Sequence, residues 1–124
     1  MNNKYESPEN SKISYEIEKG KEHFIVEIVE YLPNAVMSKT IIKKATGNVT
    51  AMSFSEGEEL GEKTFPYDNN IQIIDDAVDV TIAHKEYHLK LGSGILIPAH
   101  SLHHFNANQK LKMLSTIIKS GYED

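Results

Sequence analysis

Six histidines and no cysteines set the chemistry open to this 124-residue chain. Without thiols there can be no disulfides, thiolate zinc sites or cysteine nucleophiles, which leaves His, Asp and Glu as the metal ligands to consider. Three of the histidines, His100, His103 and His104, fall in one stretch, GSGILIPAHSLHH, over residues 92–104. In one dimension they look like a metal cluster. A regular strand, however, sends His103 and His104 to opposite faces, and His100 sits in the turn after Pro98, so a three-histidine site would need a bulge. We expect His103 and Phe105 to face inward and His104 outward. An inward imidazole can serve as an orienting donor or a general base near neutrality, although a lone one is more often a hydrogen-bonded core residue. His84 and His88, in AHKEYHLK, read as surface residues. Asp68 follows Pro66-Tyr67; it could carry an acid or base, but bonding to turn amides is the simpler role.

The elements that must position His103 are short strands. From Ala35 onward, apolar alternation is punctuated at close intervals by turn residues, the pattern of an all-β sandwich or barrel. Strands are expected over 36–43, 49–54, 71–74, 78–83, 87–91, 95–97, 103–105 and 111–118. Thr46-Gly47-Asn48 and Asp75-Asp76 each read as a hairpin turn, since Gly, Asn and Asp tolerate the left-handed region. About eight such strands can close on themselves or form a two-sheet jelly roll, which limits exposed edges. Residues 24–32, FIVEIVEYL, fit an edge strand or two helical turns equally well. We divide the chain into a flexible arm over 1–22, a barrel over 23–120 and a tail over 121–124. In the last strand Leu111, Met113, Ser115 and Ile117 share one face and Lys112, Leu114, Thr116 and Ile118 the other. Apolar residues on both faces imply an outer cover, and a homodimer is the simplest one.

Composition narrows the partners. A net charge of −5 with interspersed signs provides no basic stripe, so nucleic acid is disfavoured. No apolar run approaches the ~20 residues that span a bilayer, and the first residues lack an apolar signal segment. We expect a soluble, cytoplasmic protein with no membrane partner.

The segment from Gly92 to Ala107 resembles the second motif of the cupin superfamily, G-x5-P-x-G-x2-H-x3-N. Gly92, Pro98 and His103 match; His100 stands for the second glycine and Ala107 for the asparagine. The first motif, G-x5-H-x-H-x3,4-E-x6-G, can be laid on Gly57, with Lys63, Phe65 and Asn69 at the two histidines and the glutamate, and Asp76 at the closing glycine. The likeness covers roughly residues 24–119, in the manner of small single-domain bacterial cupins. It implies a double-stranded β-helix, the jelly-roll barrel, in which three of four metal-ligand positions are replaced.

A divalent metal needs about three deprotonated ligands at ~2.0–2.2 Å. Lys63 is cationic, Phe65 has no donor, and Asn69 offers only a neutral carbonyl oxygen, so we expect no metal and no other cofactor. Lys63, Phe65, Asn69 and His103 are the expected ligand-pocket residues. Lys63 could hold an anionic oxygen where the metal charge would sit, or merely pair with Glu59 or Glu62 in solvent. Phe65, Tyr67, Met52, Phe54 and Met113 could line a pocket, though on any barrel such residues are core first. The expected activity is small-molecule binding in the barrel. The alternatives are an enzyme, either metal-free through Lys63 and His103 or metal-dependent through other ligands, and a partner-binding dimer with a filled barrel.

Overall fold

A computed structural model describes residues 16–122. The segment assigned to a flexible arm therefore lies mostly outside the described residues. Nine strands follow a single 3-10 turn at Ile25–Glu27: β1 Val36–Lys44, β2 Gly47–Phe54, β3 Glu59–Lys63, β4 Asn69–Asp75, β5 Ala77–Ile82, β6 Lys85–Lys90, β7 Gly94–Ile97, β8 His103–Asn106 and β9 Leu111–Ile118. They form two antiparallel sheets, a five-stranded one in the order β1-β2-β9-β4-β7 and a four-stranded one in the order β3-β8-β5-β6. The expected all-β jelly-roll architecture is present. No helix among the described residues is long and apolar enough to cross a membrane.

Alternation decides which residues fill the space between the sheets. Phe54, Ile71, Ile73, Ile97, Leu111 and Met113 from one sheet meet Val78, Val80, Ile82, Leu89 and Phe105 from the other in one core. Of the two faces of β9, the one with Leu111, Met113, Ser115 and Ile117 turns inward, buried at the first three and half-buried at Ile117. Register carries that gradient across the sheet: Leu111 lies opposite Phe54, whereas Ile117 lies opposite Asn48 and Asn69. One end of the sandwich is packed with apolar side chains, and polar groups collect at the other.

Three expectations are corrected. Glu59–Lys63, which falls outside the expected strands, is a strand paired with β8; it is a sheet edge, so its polar side chains need no burial and the apolar signal reduces to Leu60. Asp76 adopts the left-handed region with φ 62°, but Asp75-Asp76 closes no hairpin. It is a corner that passes the chain from β4 in one sheet to β5 in the other. Over 24–32 neither a strand nor two helical turns forms, only the 3-10 turn. The β1–β2 hairpin exists as expected, with Ala45 and Thr46 between the strands and Gly47 already paired to Lys44.

The segment after the 3-10 turn covers part of the outer face of the five-stranded sheet. The Tyr31 hydroxyl donates to Asp75 Oδ2 at 2.7 Å, and Ser53 Oγ donates to the Glu30 carbonyl at 2.7 Å. Lys112 Nζ donates to the Val26 carbonyl and lies 4.7 Å from the Tyr31 ring centroid. Burial, and then the Asp75 hydrogen bond, push the Tyr31 phenol above its ordinary range. This cover accounts for the buried Lys112 on the outward face of β9, where a second subunit was the expected lid. The other end of that face stays open, with Ile118 52 % exposed.

Candidate binding site in the barrel mouth

Two sequence features build the open end. On β8 the alternation holds: His103 is 3 % and Phe105 5 % exposed, with the half-buried His104 between them on the other face. On β3 the alternation is broken. Phe105 pairs with Leu60 and His103 with Lys63, so three residue steps on β3 match two on β8. Regular alternation from Leu60 would turn Glu62 inward and Lys63 outward. The extra residue, a β-bulge at Gly61-Glu62, reverses that phase and sets Lys63 on the His103 face.

Lys63, Phe65, Asn69 and His103 all line one cavity of about 210 Å³. Its apolar wall includes Met52, Leu60, Ile71, Phe105 and Met113, and its further polar residues are Ser38, Asn48, Thr50 and Ser115. Of the suggested lining residues, Met52, Met113 and Phe65 contribute. Phe54 instead lies in the closed end at 0 % exposure, and Tyr67 packs against Tyr122 with ring centroids 5.9 Å apart. Ser115, Thr50, Ser38 and Asn48 were not anticipated as a set. Ser115 shares its face of β9 with Met113, a suggested lining residue; the others required the cross-strand register.

The polar atoms are specifically arranged. His103 Nδ1 lies 3.0 Å from the Ser101 carbonyl oxygen, which can only accept, so Nδ1 carries a proton and Nε2 is the ring nitrogen not used in that bond. The ring is held between Phe65 and Phe105, with centroids at 5.7 and 5.8 Å. Asn69, 4 % exposed, accepts a hydrogen bond from Ser115 Oγ at 2.8 Å through Oδ1. Its Nδ2 hydrogens are the remaining donors. Phe65 is positioned by backbone contacts: the His100 amide donates to the Phe65 carbonyl at 2.7 Å, and the Ala99 amide to Asp68 Oδ1 at 2.8 Å. Asp68 thus orders the proline turn. Lys63 is solvent-exposed and has no carboxylate within 4.0 Å among the described residues, so the expected solvent pair with Glu59 or Glu62 does not form.

The metal implied by the resemblance does not fit these residues. One imidazole nitrogen, an amide oxygen already engaged by Ser115, an ammonium and a phenyl ring do not make a three-ligand set. Among the described residues no group of three or more His, Asp or Glu could hold a metal ion, His100, His103 and His104 included. His100 is exposed in the left-handed region with φ 68°.

Outside the cavity, the exposed His88 carries a contact that the sequence did not suggest. Its Nδ1 lies 2.6 Å from Asp79 Oδ1, and Asn108 Nδ2 donates to Asp79 Oδ2 at 2.7 Å. The His88 hydrogen bond, opposed by burial and supported to a lesser degree by the Asn108 bond, holds the Asp79 carboxyl below its ordinary range.

No protein-family model matches the chain, and no curated protein matches it by sequence. Solved structures do. A conserved protein of unknown function from Streptococcus pyogenes superposes with a TM-score of 0.81 at 25% identity, over 88% of this chain and 97% of that one. A cupin superfamily protein from Desulfitobacterium hafniense superposes at 0.77 with 19% identity, over 86% and 97%. A cupin 2 conserved barrel domain protein from Leptotrichia buccalis gives 0.73 at 28% identity, over 76% of this chain and 46% of that one.

Proposed function

We propose, from the premise that the chain is by fold a small single-domain member of the cupin superfamily, that it binds a small molecule in the mouth of its barrel without the usual metal. The observation that carries this reading is the contrast between the two ends of the sandwich. Phe54 and Leu111 at one end are fully buried, whereas the other holds a cavity of about 210 Å³ with polar groups at its rim. An apolar pocket with a few convergent polar groups is the usual form of a small-molecule site. A barrel filled by its own side chains, the partner-binding alternative, would leave no such volume. An engineered 150 Å³ apolar cavity holds benzene, so a ring or a short acyl chain is the appropriate scale.

A thermal-shift screen of small carboxylates, sugars and aromatics tests the reading, with Thr50→Phe as its control. Thr50 is half-buried and lines the cavity, so the larger ring reduces the void. A ligand at about one hundred times its Kd stabilises the folded state by about 2.7 kcal/mol, a rise of several degrees. That rise should appear in the native protein and vanish in Thr50→Phe. A rise of equal size in both places the ligand elsewhere.

The same proposal includes a homodimer. Leu96, Asn70, Thr116 and Val49 follow one another across the outer face of the five-stranded sheet, ending near Ile42. Leu96 is 59 %, Ile118 52 % and Ile42 37 % exposed. A second copy set against this row would cover the part of the face that residues 26–31 leave open.

A further inference from the structure

Resting on the barrel-binding reading, we infer the chemical class of the ligand: a small monocarboxylate whose apolar body enters the cavity and whose carboxylate stays at the mouth with Lys63 and Asn69. Lys63 is the one charged side chain among the described residues that line the cavity, and no Asp or Glu lines it. In a chain of net charge −5 that local polarity runs against the composition. It is also built into the strand, because the bulge at Gly61-Glu62 turns the lysine toward His103 and takes Glu62 out of the inward phase.

The neighbouring groups complete the selection. Asn69 is 4 % exposed and its Oδ1 is engaged by Ser115, so Nδ2 is what it presents as donor. A buried amide donor without a partner costs about 1–3 kcal/mol, and a ligand oxygen relieves that cost. An ammonium and an amide together suit the two oxygens of a carboxylate. A phosphate dianion requires more charge and more donors than this mouth supplies. Below the rim, Met52, Ile71, Phe105 and Met113 form an apolar wall beside the Thr50 and Ser115 hydroxyls, and Ser115 is already engaged with Asn69, so the body of the ligand is mainly apolar. At about 210 Å³ the cavity takes a body about the size of one ring.

The test is isothermal titration of benzoate, benzamide and inorganic phosphate into the native protein, Lys63→Met and Lys63→Arg. Lys63 is exposed and makes no protein ion pair, so these variants should fold. Benzoate should bind the native protein roughly tenfold or more tightly than its neutral isostere benzamide, a difference of about 1.4 kcal/mol or more. Lys63→Met should remove that preference and leave benzamide unchanged, and Lys63→Arg should retain most of it. Equal binding of benzoate and benzamide, or an unchanged benzoate affinity in Lys63→Met, overturns the carboxylate assignment while the barrel-binding reading stands if Thr50→Phe blocks both. Phosphate binding more tightly than benzoate also overturns it. Binding of neither benzoate nor benzamide sinks the assignment and the barrel-binding reading together.

Discussion

Phe54→Ala is expected to lower the unfolding free energy by about 3–5 kcal/mol, the range for truncating a fully buried phenylalanine. Phe54 is 0 % exposed, lies opposite the equally buried Leu111 in the β2–β9 ladder, and packs against Phe105 from the other sheet with ring centroids 6.4 Å apart. It is where the two sheets close on each other. The loss includes the transfer of the ring and the void left behind, since β-sheet backbone on both sides limits collapse. Denaturant titration reads the change. Ile117→Ala, at the half-buried mouth end of β9, should cost clearly less, because its surroundings already include open space. If the two variants lose the same amount, the packed end and the hollow end are not distinct and the site loses its physical basis.

Gly94→Ala is expected to cost about 1–3 kcal/mol, as overpacking does when the clash is with something rigid. A Cβ at Gly94 would lie 2.4 Å from the Ile71 carbonyl oxygen and 3.4 Å from the Gln72 Cα, both backbone atoms of β4. No rotamer relieves such a contact, so β7 must move away from β4. The same ladder pairs Ile97 with Asn69, and loosening it disturbs the amide at the mouth. Gly94→Ala should therefore lower the denaturation midpoint and weaken ligand binding together. Stability close to the native value would show that β7 is free to shift, and that Asn69 is not held by it.

These two sites also show how much was legible beforehand. Alternation was enough to send His103 and Phe105 inward on β8 and to set Met113 and Ser115 on one face of β9, because a two-residue period acts on every side chain alike. The proline turn after Ile97 and the left-handed residue at Asp76 were legible for the same reason: both are local. Which sheet receives the next strand is not local. Asp76 has the conformation expected of it, yet β4 and β5 part there, because pairing is set by distant partners, β9 and β7 for one and β8 and β6 for the other. β3 escaped because an exposed edge needs almost no apolar signal.

The direction of Lys63 was the hardest part of the site. It depends on one extra residue between Leu60 and Lys63, and nothing in ELGEK distinguishes a bulged edge strand from a solvated turn. The resemblance to a known motif brought Lys63, Phe65, Asn69 and His103 together in sequence. The register of β3 on β8, and of β9 on β2 and β4, brings them to one cavity. The partners Ser115 and Ser101, which leave Asn69 as donor and engage His103 through Nδ1, are visible only in three dimensions.

The central claim is that a small carboxylate enters the barrel mouth, and the methionines provide a direct readout. Met52 and Met113 line the cavity, while Met37 lies on β1 beside Ser38 and does not. With methyl-labelled methionine, titration with benzoate should move the Met52 and Met113 methyl resonances in proportion to occupancy and leave Met37 in place. Saturable binding that leaves Met52 and Met113 unmoved, or that moves Met37 instead, would contradict the account.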